Sequence, residues 1–208
     1  GKPWNVCVLG DQEVAVSLHN QNNIQILSVI GDVIRPVRTI TTKYNSNGMV
    51  AAGKEEMVVN GDCGNYKSQW SLIDMRGDVK CSHQYDSTYS VLNNIAVNNT
   101  KTRVYVSLFT IHSLLCFNMD GRKQFTYHPG NLKHPTVVAV DRFDNIYIIG
   151  WESRNIHQLS PDGSVQQIVN IGVPKYPRAI YIHKSKDILI TTNESDRRKL
   201  HIYRLKYN

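Results

Sequence analysis

Apolar and polar positions alternate along this chain in short runs, and the runs recur in groups of four. The stretch "HPTVVAVDRFDNIYIIGWESRNIHQLSPDGSVQQIV", His134 to Val169, is one such group. Its second run, "NIYIIG" from Asn145, has counterparts in "EVAVSL" from Glu13, "EMVVNG" from Glu56, "RVYVSL" from Arg103 and "DILITT" from Asp187. The spacings are 43, 47, 42 and 42 residues. A short apolar run precedes each ("NVCVL", "GMVAA", "NIAVN", "TVVAV", "RAIYI"), and a third follows ("NIQILSV", "QWSLIDM", "SLLCFNM", "NIHQLS", "KLHIYRL"). The alternation has period 2 and is rich in Val, Ile and Tyr, which predicts strands, and no segment sustains a period of 3.6.

Between the third and fourth runs, four units place a glycine at the bend: Ile30-Gly31, Arg76-Gly77, Asp120-Gly121 and Asp162-Gly163. Glycine tolerates the positive φ that a tight antiparallel connection needs. The fourth runs are "VRTITT", "VKCSHQY", "RKQFTYH" and "SVQQIVN". Four antiparallel strands repeated at this period define a β-propeller blade, whose faces are buried only by stacking on neighbouring blades. The chain therefore reads as an all-β, single-domain propeller over residues 1–208, with blades at 3–43, 44–88, 89–133, 134–175 and 176–208. The first four blades are complete and the fifth has three strands. Only Gly1, Lys2 and Pro3 precede the first strand, too little to supply an outer strand. The reading is thus either an open, incomplete ring or a closing strand lying upstream. An open ring exposes strand edges and apolar blade faces, which favours self-association.

The unit from Pro135 resembles an NHL repeat. The features that carry the resemblance are "HPTVVAVD", "DNIYII", a polar break and "RNIHQLSPDG", and "PRAIYIHKSKDILITT" repeats the first half. Units one to three are similar mainly in period, and unit two departs most, with the insertion "DCGNYKSQ". NHL repeats occur at the C-terminus of tripartite-motif (TRIM) proteins, usually as six-bladed propellers that recognise RNA or proteins. The resemblance implies a non-catalytic recognition module from a TRIM-like protein. Ubiquitin-ligase chemistry in that family belongs to the RING module, which this sequence does not contain.

In a propeller, the loops joining second to third strands and those joining blades share one mouth. By this assignment that face carries seven basic and five acidic residues, a balance of +2, and the opposite face balances to zero. The overall +7 is therefore diffuse, which attracts polyanions weakly without marking a groove. Aromatic side chains are more informative. The candidate ligand-binding face comprises Tyr44, Tyr66, Lys67, Tyr89, Phe109, His112, Lys133, His134, Trp151, Arg154, Lys175, Tyr176, Arg197 and Arg198. Rings beside cations suit unpaired bases, and they serve protein or sugar ligands equally well. The alternative for any one ring is packing between blades as a spacer. Trp151 and Arg154, close together in one loop, form the leading contact pair. A protein partner is expected first, RNA second and carbohydrate third.

Enzymatic readings find little. Asp62, Asp86, Glu152, Glu194 and Asp196 are the acidic residues of the same face, without the repeated spacing of a divalent-metal site. No G-x-S-x-G, phosphate-binding glycine loop or paired metal-ligand motif occurs, so no catalytic residue, metal or cofactor is expected. Cys7, Cys63, Cys81 and Cys116 form no C-x-x-C pair and read as free thiols of a reducing, cytoplasmic compartment. Asn98-Asn99-Thr100 and Asn193-Glu194-Ser195 match the glycosylation pattern, which chance alone supplies often. No apolar run approaches a membrane span, and GKPWNV does not read as a signal peptide.

Overall fold

The computed structural model describes residues 2–18, 21–64, 67–86, 94–170, 177–183, 185–193 and 200–205. Among the described residues all regular structure is β: nineteen strands form five antiparallel sheets, four of four strands and one of three, so the fold is a β-propeller of five blades. The chain divides into two compact units, Gly1–Ile95 and Ala96–Asn208.

The N-terminal unit holds two blades. The first is β1 (Pro3–Val8), β2 (Glu13–Leu18), β3 (Asn23–Ile30) and β4 (Val33–Thr41), and the second is β5 (Asn45–Ala51), β6 (Glu56–Gly64), β7 (Lys67–Asp74) and β8 (Val79–Asp86). Cross-strand register explains which residues meet. Ala15 opposes Ile26, and Ile24 opposes Ile40, so one face of the first blade carries a run of apolar side chains. These pack with Met49, Met57, Val59 and Ile73 of the second blade into one buried cluster. Each fully buried Ile or Met side chain contributes about 1.5–3 kcal/mol.

The C-terminal unit holds three blades, apart from the first two residues of the strand that opens blade three. Blade three is β9 (Asn94–Val97), β10 (Arg103–Leu108), β11 (Ser113–Asn118) and β12 (Lys123–Tyr127). Blade four is β13 (Pro135–Val140), β14 (Ile146–Gly150), β15 (Asn155–Leu159) and β16 (Val165–Asn170). Blade five is β17 (Pro177–His183), β18 (Ile188–Asn193) and β19 (Leu200–Arg204). Blade four is covered on both faces, which is why its second strand reads as the unbroken run IYII. Ile146 and Ile148 join Tyr105, Leu114 and Cys116 of blade three. Tyr147 and Ile149 join Ile182 and Leu189 of blade five. On the other face of blade five, Tyr181 and Ile202 are exposed.

The bends follow the glycine pattern. Gly31, Gly77, Gly121 and Gly163 all have positive φ. A second signal is polar. Asp141, fully buried, directly follows the first strand of blade four. Its carboxylate accepts from the main-chain N–H groups of Phe143 (2.8 Å) and Asn145 (2.9 Å), from the Asn145 side chain and from the Tyr147 hydroxyl. Asn98 takes the same place in blade three, accepting from the N–H groups of Thr102 and Arg103. Its amide nitrogen donates to Thr100 and Thr102, and the residue is buried, so this glycosylation pattern is a turn-closing side chain. The side chain of Asn193, in the second such pattern, lies outside the described residues. All four cysteines are free thiols. No helix is long and apolar enough to cross a membrane among the described residues.

Candidate functional site

The C-terminal unit gathers one group of exposed and half-buried rings and charges. It is built on the turn between β14 and β15. The N–H of Trp151 donates to the His134 carbonyl (3.0 Å), and that of Glu152 to the Lys133 carbonyl (3.2 Å). Ser153 Oγ accepts from the Lys133 N–H at 3.0 Å and donates to Asn155 Oδ1 at 2.7 Å, and the Asn155 amide donates to the Asn131 carbonyl at 2.9 Å. The turn thereby clamps residues 131–134, the connection entering blade four. Gly150 makes this clamp fit: a Cβ there would stand 1.9 Å from Ser153 Oγ and 2.7 Å from Asn155 Oδ1.

Four rings converge on the clamp. Phe109 lies 4.4 Å from the His134 ring and 5.8 Å from Trp151. His112 meets His134 edge-on at 4.5 Å. Nδ1 of His112 accepts the His134 main-chain N–H at 3.0 Å, which fixes His112 as the Nε2–H tautomer. Burial, then the neighbouring His134 and Lys133, lowers the pKa of His112 below the ordinary imidazole value. His134 Nδ1 lies 2.7 Å from Glu152 Oε2. The Arg178 guanidinium sits over Trp151 at 5.6 Å. His112, His134 and Arg154 all have φ between 51° and 55°, so three of the six non-glycine residues in the left-handed region among the described residues lie in this one group. Such backbone costs free energy and concentrates at functional sites.

The sequence-derived face is thus brought together in part. Phe109, His112, Lys133, His134, Trp151 and Arg154 form one neighbourhood, with Lys133 and Arg154 exposed. Tyr44 is a correction. It is buried in the core of the N-terminal unit, with its hydroxyl donating to Ser71 at 2.8 Å, because the blade-to-blade connection turns it inward as a spacer. Lys67 is exposed and opens β7. Tyr66, Tyr89, Lys175, Tyr176, Arg197 and Arg198 lie outside the described residues. Sequence reasoning missed Arg178, and it placed Glu152 only among acidic residues, without its histidine partner. Among the described residues, no group of three or more His, Cys, Asp or Glu side chains is placed to hold a metal ion.

The fold places the chain in the β-propeller class, and solved structures agree. The chain is similar to a protein of unknown function from Bacteroides caccae, at TM-score 0.72 and 14% identity over 94% of this chain and 73% of that one. A functionally unknown protein from Desulfotomaculum acetoxidans matches at TM-score 0.69 and 9% identity, over 92% of this chain and 63% of the other. Virginiamycin B lyase from Staphylococcus aureus, itself a propeller, matches at TM-score 0.64 and 13% identity over 99% of this chain and 70% of the lyase. At these identities the likeness is one of fold alone. No family model and no curated protein matches the sequence.

Proposed function

We propose that this chain is a non-catalytic recognition module that binds a protein partner through the ring-and-cation face built on Trp151. The single observation that carries this reading is the convergence of Phe109, His134 and Trp151 under the Arg178 guanidinium. Half-buried tryptophan and arginine on one surface are the side chains that dominate protein–protein hot spots. Two polar groups of the cluster hold its own scaffold: His112 Nδ1 on the His134 N–H, and Ser153 Oγ between the Lys133 N–H and Asn155. That favours a rigid docking surface over a reaction centre. The NHL-like motif of blade four supports placing the module in a TRIM-like protein, and the four free thiols support a cytoplasmic setting.

The test is crosslinked capture from cell extract with wild-type protein, a Trp151→Ala plus Arg154→Ala variant, and a Lys123→Ala control. A protein recovered by wild type and control, lost with the double variant and retained after nuclease treatment, is the expected result. Recovery that nuclease abolishes, or that the double variant leaves intact, overturns the proposal.

A further inference from the structure

We infer that the outer edge of blade five is a strand-acceptor site: an extended segment of a partner protein, with branched aliphatic side chains on one face, pairs with β19 as a fourth strand. This site is separate from the Trp151 face and does not rest on it. Among the described residues β19 pairs with β18 alone, whereas the third strand of every other blade pairs on both sides. A row of side chains, Ile182 opposite Leu189 opposite Tyr203, faces blade four and breaks off at that edge. Beyond it a cavity of about 250 Å³ lies between the blades, with Ile156, Gln158, Gln167 and Val169 of blade four on one side and Leu189 and Tyr203 on the other. Its volume falls below the roughly 300–1,000 Å³ of small-molecule sites and suits a few side chains.

Blade four shows what belongs there. Its own row runs Val140, Ile146, Leu159 and on to Val165 of the fourth strand, with His157 opposite Ile168 in the next row. Leu159 and His157 are fully buried, whereas Tyr203 and His201, which take their places in blade five, are half-buried. The seam on the other side of blade four is filled. Tyr127, on the fourth strand of blade three, is buried there, while Val169, at the matching place on blade four, is half-buried. In strand addition the main chain supplies affinity and alternate side chains supply specificity, so Val or Ile facing the cavity defines the partner segment. All nineteen described strands already hold a place in a sheet, and in a second copy they would too, so the donor is another protein.

The probe is a synthetic peptide copying the chain's own fourth strand of blade four, GSVQQIVN, Gly163 to Asn170. Fluorescence anisotropy on the full chain should show binding that weakens about tenfold or more when Val165 or Ile168 of the peptide becomes Asp. N-methylation of one alternate set of peptide amides should abolish binding, and methylation of the other set should spare it. Tyr203→Asp in the protein, verified as folded by circular dichroism and melting temperature, should weaken binding, whereas Tyr181→Ala and Trp151→Ala plus Arg154→Ala should not. Hydrogen exchange at the outward amides of β19 should be fast in the free protein and slow with peptide. Absence of binding up to about 1 mM, or binding indifferent to the methylation pattern, overturns the site. Protection of the β19 edge without peptide also overturns it: in favour of a segment of this chain where protection is independent of protein concentration, and of a second copy where it rises with concentration.

Discussion

The main-chain N–H of His134 donates to Nδ1 of His112 at 3.0 Å, so the shape of the candidate face depends on the His112 imidazole being neutral. Protonation would place an N–H against an N–H. The groups facing His112 are His134, Lys133 and Glu152; burial first, then His134 and Lys133, outweigh the Phe109 backbone hydrogen bond and the carboxylate and lower its pKa. His157, fully buried, is lowered by burial as well.

The linkage follows from those two directions. A histidine whose folded-state pKa is depressed is neutral in both states at high pH. As pH falls below the ordinary value of 6.5, the unfolded chain takes up protons first and stability declines until the folded-state value is passed. Melting temperature should therefore fall on acidification below 6.5, and the slope should be shallower in His112→Gln, whose amide oxygen accepts without titrating. A flat profile in the wild type would contradict this account.

Two glycines make contrasting predictions. A Cβ on Gly61 would stand 1.9 Å from the Asn45 carbonyl oxygen, a main-chain atom, whereas a Cβ on Gly150 meets side-chain atoms of Ser153 and Asn155. Gly150→Ala should cost about 1–3 kcal/mol by overpacking and by displacing Ser153 from the Lys133 N–H. Gly61→Ala should cost more, because backbone yields less readily. Urea unfolding midpoints measure both.

The hydroxyl of Tyr127 in blade three reaches Nδ1 of His157 in blade four at 2.6 Å, across buried surface. Tyr127→Phe keeps the ring and strands that nitrogen. The expected loss is about 1–3 kcal/mol, read by denaturant titration, and a second change, His157→Leu, should recover part of it.

The exposed row on blade five, Tyr181 at 57% and Ile202 at 64%, leaves apolar surface to associate. Sedimentation velocity at rising concentration should show self-association. Ile202→Lys, the residue type with which natural sheet edges discourage pairing, should reduce it.

Period and alternation made the strands legible, and the glycine bends fixed where they turn. That Trp151 and Arg154 share one turn was legible too, since four residues cannot separate far. Arg178 was not, because it comes from the next blade, 27 positions after Trp151, and only inter-blade packing brings it over the indole. Tyr44 was misread for a related reason. Its place in a connection suggests exposure, but the direction of its side chain is set by the core of two blades and by Ser71. Local pattern determines which residues leave a strand on which side, and tertiary packing determines which of them water still reaches.

A Cβ on Gly77 would crowd Ile40 at 2.9 Å, and one on Gly163 would crowd Phe125 at 2.9 Å, each neighbour belonging to the outer strand of the preceding blade. The seam between such blades is thus a lid seated on a notch, with one half inherited from each repeat. Tandem duplication copies both halves together and yields a matching joint at once. A repeat grafted from elsewhere without a glycine at this bend, or without an apolar residue on its outer strand, leaves a mismatched joint, so copying a blade is easier than exchanging one.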